Sequence, residues 1–109
     1  MHPSLERRQK EMKILHLTLK KKWFDMIASG EKKEEYREDK PYWRKRLLLR
    51  GDCVDDIRLF HVVEFRNGYR KDSPRMRFKC DRSEPGEGRT EWGANPGQWY
   101  FIIKLGERL

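Results

Sequence analysis

Leu15, Leu17 and Leu19 alternate with His16 and Thr18, and this period of two predicts a half-buried strand over KILHLTL. The period then changes. KKKWFDMIASG places Trp23, Ile27 and Ala28 on one helical face with Phe24 beside it, and Gly30 follows the last apolar residue. That is where a left-handed C-cap is usually needed. Residues 33–37 are expected to run as a second strand. Asp39 is expected to cap a second helix that carries Pro41 in its first turn and has Trp43 and Leu47 four apart. That helix should end near residues 47–49, before an Arg50-Gly51-Asp52 turn. IRLFHVVEF is apolar on two faces, Ile57, Leu59, His61, Val63 and Phe65 on one and Phe60 and Val62 on the other. It predicts a strand buried on both sides. RNGYRKDSP reads as a loop or hairpin with an Asn-Gly turn. RMRFKC points Met76, Phe78 and Cys80 inward. SEPGEGRTEWGANPG reads as a long Gly/Pro-rich loop, and such loops in compact domains are usually functional or disordered. QWYFIIKL closes the chain as a strand with Trp99, Phe101, Ile103 and Leu105 on one face.

These elements predict an α+β, mainly β domain: about five strands and two short helices, with no repeat. Short strands joined by Gly-rich links favour a closed or partly closed barrel. Residues 1–12 are expected to form an arm and residues 13–109 a single domain. With 109 residues, a mean hydropathy of −1.08 and 40% charged residues, the core must be small. Aromatics, 12% of the chain and including four Trp, can still give it enough buried area. No apolar run approaches the roughly 20 residues of a membrane span. The first residues also lack the apolar segment of a secretory signal. A soluble, cytoplasmic protein without membrane contact is expected. Cys53 and Cys80, far apart and with three scattered His, do not make a zinc site. No metal and no cofactor are expected, and the thiols suit a reducing compartment.

The net charge of +8 is uneven: residues 1–50 hold 15 Lys/Arg against 8 Asp/Glu, and residues 51–109 hold 11 against 10. A basic half with interleaved aromatics suggests a polyanion, since each neutralised phosphate releases counterions. The candidate chemistry lies in SGEKKEEYR. On a strand, Lys33, Glu35 and Arg37 project together and Glu34 and Tyr36 project oppositely. Arg37 suits a bidentate phosphate or carboxylate contact. Glu35 can accept from an exocyclic amine or sugar hydroxyl, or act as a base. Lys32, desolvated beside Arg37, would lose basicity toward the range where an amine is a base or nucleophile. A solvated, ion-paired strand would explain the same charges. Lys20, Lys21 and Lys22, at the strand-to-helix turn, can meet phosphates. Trp43 beside Arg44, Lys45 and Arg46 mixes aromatic and basic groups, but Leu47 at i+4 assigns Trp43 to the core and leaves Tyr42 facing solvent. Tyr69 can stack a base and Asn67 can read an edge. Trp92 either closes the barrel end or caps a cleft. His16 and His61 fall within strands and are read as packing residues.

Gly30, Lys32, Glu35 and Arg37 spell G-x-K-x-x-E-x-R, which resembles the signature of the ASCH family, small β-barrels related to the PUA fold. The likeness runs over residues 13–109, from LHLTLKKKWFDMIASGEKKEEYR to a closing EWGANPGQWYFIIKLG like that of phage- and bacteria-associated members. It implies a PUA-like barrel with a cleft lined by the motif residues and also by Gly30. It also implies a module that binds RNA or a nucleotide. Some relatives are amidohydrolases that deacetylate N4-acetylcytidine, and others have been described as ribonucleases. In the amidohydrolases the catalytic lysine falls on Lys32. Their catalytic threonine falls on Glu35, a departure, and Glu91 is a weak candidate for their glutamate. An RNA-binding module is therefore the first expectation. A small hydrolase using Lys32 and Glu35 is the second, and an adaptor for an acidic protein is the third.

Overall fold

The computed structural model describes residues 12–49, 53 and 56–109. The arm expected over residues 1–12, apart from Met12, and the expected turn at residues 50–52 lie outside the described residues. Among those described, five strands and two helices follow in the order β1 (Ile14–Leu19), α1 (Lys21–Ala28), β2 (Glu34–Glu38), α2 (Pro41–Leu47), β3 (Val62–Asn67), β4 (Arg75–Glu87) and β5 (Trp99–Arg108). A single 3-10 turn, Thr90–Trp92, precedes β5. The strands form one sheet in the order β1-β3-β4-β5-β2, with β1 parallel to β3 and the other pairs antiparallel. The sheet curls into a half-barrel, so the mainly β, barrel-like class expected from the sequence holds.

The concave face carries the core. Leu15, Leu17 and Leu19 of β1 meet Val63 and Phe65 of β3, Met76 and Phe78 of β4, and Phe101 and Ile103 of β5. Phe24 and Ile27 of α1, with Leu47 and Leu48 at the end of α2, close over them. A second, smaller cluster lies on the opposite face of β2 and β5, where Tyr36, Tyr100 and Ile102 pack with Ala94. β5 is thus buried on both faces in its middle. Period-two reading captured only one of them.

Several expectations need correction. In α1 the inward pair is Phe24 and Ile27; Ala28 is exposed and Trp23 is half-buried. Asp39 does not cap α2. Lys40 occupies the N-cap without a side-chain bond, and both Asp39 oxygens accept from the Arg44 fork instead. The strand expected from Ile57 starts only at Val62, because its partner β1 begins at Ile14, opposite Val62. Upstream of that point Ile57 makes one bridge to Leu48, Leu59 is 84% exposed and His61 is exposed. His61 ties down the entry to β1, its Nδ1 accepting from the Lys13 backbone N–H at 3.0 Å. Trp99, expected inside, is 62% exposed, since it pairs with Glu87 at the far end of β4.

The first part of the expected Gly/Pro-rich loop is strand. β4 continues through Pro85 and Gly86 to Glu87. Beyond Lys79, which faces Val62, the first residue of β3, β4 pairs among the described residues only with β5. One side of it is then an open edge, where a proline forfeits no ladder bond. Register shifts around Cys80 mark the change of partner and leave Cys80 half-buried.

The loop after β4 lies close over β2. A Cβ placed on Gly88 would stand 2.7 Å from both the Ala94 Cβ and Tyr36 Cε1. Gly88→Ala should therefore cost about 1–3 kcal/mol by overpacking the second cluster. Chemical denaturation measures this, and an unchanged midpoint would contradict the close approach.

Candidate functional site

The site begins where α1 stops. Ser29 is still helical, and Gly30 adopts φ +86°, which turns the chain back under the helix. Open space surrounds Gly30, so the demand for glycine there is conformational rather than steric. The Lys32 backbone N–H donates to the Met26 carbonyl at 3.0 Å, which fixes the reversal and sends the Lys32 side chain inward. Only 2% of Lys32 remains exposed.

Its Nζ donates to Glu35 Oε1 at 2.7 Å and to the Trp92 carbonyl at 2.7 Å. The Trp23 ring lies 4.5 Å from the ammonium and the Tyr36 ring 5.6 Å. Glu35, 4% exposed, accepts through its other oxygen from Arg37 Nη1 at 2.9 Å. Arg37 Nη2 reaches the Thr18 carbonyl at 3.1 Å, and its guanidinium carbon lies 5.1 Å from the Trp43 ring centre. β1 and β2 are the outer strands of the sheet, so this bond joins edges that no ladder connects. Arg37 Nε is buried without a partner. Two cations thus share one buried carboxylate. Burial draws the Lys32 amine below its usual value, with the Glu35 charge and hydrogen bond opposing that shift.

The strand parity holds for Glu35 and Arg37 on one side and for Glu34 and Tyr36 on the other. The Tyr36 hydroxyl donates to Glu34 Oε1 at 2.8 Å and accepts the Arg89 N–H at 3.0 Å. Lys33, expected on the Glu35 face, is exposed because the strand starts one residue later.

Lys32, Glu35 and Arg37 border a cleft of about 920 Å³. Tyr42, Tyr69, Trp92 and Lys20, all candidates from the sequence, border it too. Tyr42 is 56% and Tyr69 86% exposed. The other candidates lie elsewhere. Lys21 pairs with Asp25 at 2.6 Å, Lys22 sits over the outer side of Trp23, and Asn67 ends β3. Glu91 is exposed beside Arg89 and does not reach the cleft. Trp43, assigned to the core by its spacing from Leu47, does pack against the core cluster, as does Trp23, and both half-buried rings also wall the cleft. A tryptophan next to a run of basic residues was the signal for both. His16 and Lys40 were missed as cleft residues, and His16 bonds Glu64 at 3.2 Å.

Among the described residues no group of three or more His, Cys, Asp or Glu is placed to hold a metal ion. No helix among them is long and apolar enough to cross a membrane. Compared with protein-family models, curated proteins and solved structures, the chain has no match.

Glu35 is the shared acceptor, so Glu35→Gln strands two buried cations and should cost about 3–5 kcal/mol. Lys32→Met leaves Glu35 paired with Arg37 and should cost less, about 1–2 kcal/mol. Urea unfolding of both variants decides the order; a larger loss from Lys32→Met would remove Glu35 from the centre of the network. Tyr36 supplies a pH test. Desolvation holds its phenol above the ordinary 10.0, so the fold retains this proton where the unfolded chain releases it. The associated stability is present below pH 10 and falls as pH rises beyond it. The alkaline loss should be shallower in Tyr36→Phe, and identical pH profiles would refute the assignment. Lys32, shifted down from 10.5, acts in the opposite sense, which is why the comparison is made between variants.

Proposed function

We propose that this protein is an RNA-binding module, similar to the ASCH family, that holds a nucleotide of single-stranded RNA in the cleft above Lys32, Glu35 and Arg37. One observation carries the reading: a polar floor of buried, pre-positioned charges lies beneath a rim of aromatic rings that face solvent. Lys32 and Arg37 bring positive charge toward a ligand. Their geometry is already fixed by Glu35 and the Thr18 and Trp92 carbonyls, so little ordering cost falls on binding. Tyr42 and Tyr69 expose ring faces on which bases can stack, and Arg46 lies 3.5 Å over the Tyr42 ring. Lys20, exposed at the mouth, adds a phosphate contact, whereas Lys40 there is already paired with Glu38 at 2.8 Å. A cytoplasmic setting is part of the proposal, since Cys53 and Cys80 are free thiols.

A second reading rests on the lowered basicity of the Lys32 amine beside a carboxylate. In it, the pair activates a water that attacks the acetyl carbon of N4-acetylcytidine. The carbon–nitrogen bond breaks, acetate leaves and the cytidine N4 takes the proton. Against it, both polar partners of Lys32 are already engaged in the fold.

Titrating a labelled single-stranded RNA into the protein tests the first reading. Tyr69→Ala should weaken binding by about 1–3 kcal/mol, and Tyr42→Ala likewise. Tyr69→Ala should leave the unfolding midpoint unchanged, because its ring is 86% exposed, while Tyr42→Ala also gives up the Arg46 and Trp43 contacts and should lower it slightly. Wild-type affinity should fall steeply with added salt. Undiminished affinity in both variants would reject the aromatic rim as the contact. The same preparations incubated with N4-acetylcytidine examine the second reading: acetate release that disappears in Lys32→Met would favour it over binding alone.

A further inference from the structure

The convex face of the sheet carries a feature that the cleft does not absorb. Strand pairing brings the side chains of Thr18, Arg66 and Arg75 into one row across β1, β3 and β4. His16, Glu64 and Arg77 form the next row. Two arginines directly opposite one another in a ladder repel. Here Arg66 faces Arg75, and among the described residues the Arg75 side chain has no partner. Arg66 spends one nitrogen on the Tyr69 and Arg70 carbonyls at 2.8 and 2.6 Å, while its Nε is buried and unpartnered. The next row is different. Glu64 is engaged on both sides, ion-paired with Arg77 Nε at 2.8 Å and within hydrogen-bond reach of His16 Nδ1 at 3.2 Å. The Arg77 hydrogen bond, then that of His16, holds its carboxyl below the usual range. The carboxylate that walls this region is therefore already paired with Arg77, and among the described residues no carboxylate pairs with Arg66 or Arg75.

A concavity of about 320 Å³ lies over this row, walled by His16, Thr18, Glu64, Arg66 and Arg75. His16 and Thr18 also wall the cleft. The two depressions therefore meet across β1, an outer strand with no ladder on its far side. From Thr18 to Arg75 the row crosses two strand spacings, about 10 Å. A single nucleotide seated over Lys32 and Glu35 cannot also reach the far end of that row; a continued chain can.

We propose that the single-stranded RNA held in the cleft leaves it over β1 and sets the phosphate of a neighbouring nucleotide between Arg66 and Arg75. This rests on the proposed cleft function and extends that site by a second contact. The Arg66 fork is oriented by the 68–74 loop, whose Tyr69 stands on the cleft rim, so the same loop serves both contacts. Arg75 is the exposed partner that completes the phosphate clamp.

The test compares Arg75→Gln with Lys79→Gln, two variants on one strand, on one face and with the same charge change, the second lying two rows from Arg75 and outside the walls of the concavity. The probe is a labelled single-stranded RNA of about twelve nucleotides, within the ~4–16 nucleotides of single-strand sites; a mononucleotide of the same base serves as the short ligand. Arg75→Gln should weaken the long RNA about fivefold and lower the slope of log affinity against log salt by about 0.7, the signature of one lost phosphate contact on a single strand. It should leave the mononucleotide unaffected. Lys79→Gln, whose lysine is paired with Glu107 at 2.7 Å and does not wall the concavity, should change either ligand less than twofold. Equal losses in the two variants would mean diffuse attraction to the basic face and would overturn the clamp. So would a loss in Arg75→Gln that is as large for the mononucleotide. Tyr69→Ala separates this proposal from the one beneath it. If Tyr69→Ala weakens both ligands and Arg75→Gln neither, the cleft reading stands and the track is refuted. If wild type binds neither RNA nor mononucleotide, both are refuted.

Discussion

The Glu35 carboxylate is the point on which the cleft is built. It accepts from Lys32 with one oxygen and from Arg37 with the other, and each of those cations then fastens a different piece of chain. Lys32 holds the Trp92 carbonyl, which anchors the loop between β4 and β5. Arg37 holds the Thr18 carbonyl, which brings β1 to β2 where the sheet itself remains open. Three elements remote in sequence thus converge on one side chain. Such an arrangement is expensive to bury, and it is offset by the pairing of Lys32, Glu35 and Arg37 with one another and with two carbonyls, Arg37 Nε alone being left without a partner. The excess positive charge left over is available to something outside the fold. Under the proposed function, structural and binding roles for these residues coincide, since a floor that selects a ligand by being rigid would be made rigid by its own ion pairs.

Much of this was legible in the chain. Alternating leucines marked β1, and a glycine after an apolar helix marked the reversal that drives Lys32 inward. Strand parity separated Glu35 and Arg37 from Glu34 and Tyr36. The sequence did not carry the parts that depend on which strands become neighbours. Nothing local distinguishes a Trp23 that fills a core from one that covers an ammonium, because both need a half-buried ring on one helical face. β5 looked one-sided because its second apolar set, Tyr100 and Ile102, includes a tyrosine and is covered by a loop rather than by a helix or sheet. The entry to β3 was misread for a related reason. Ile57 and Leu59 have the right period, yet β1 is too short to pair with them, and a strand without a partner is not a strand.

The two depressions on either side of β1 show how little extra structure is needed to turn a pocket into a path. β1 is one strand wide between them, and its outward residues His16 and Thr18 belong to both. The inward residues of the same strand, Leu15, Leu17 and Leu19, are locked in the core. A ligand crossing there meets a rigid kerb whose backbone is already tied to Arg37.

The open margin of β4 bears on how copies of this protein behave toward one another. An unpaired strand edge is an invitation to add another strand, and a curled sheet that does not close cannot avoid having edges. From Asp81 to Glu87 the exposed flank carries Arg82, Glu84 and Glu87, and Pro85 has no N–H to offer. A neighbouring chain would find mixed charge and a missing donor in the middle of its register. The residues that look like a loop in the sequence therefore place on this open margin the features that disfavour addition of a further strand.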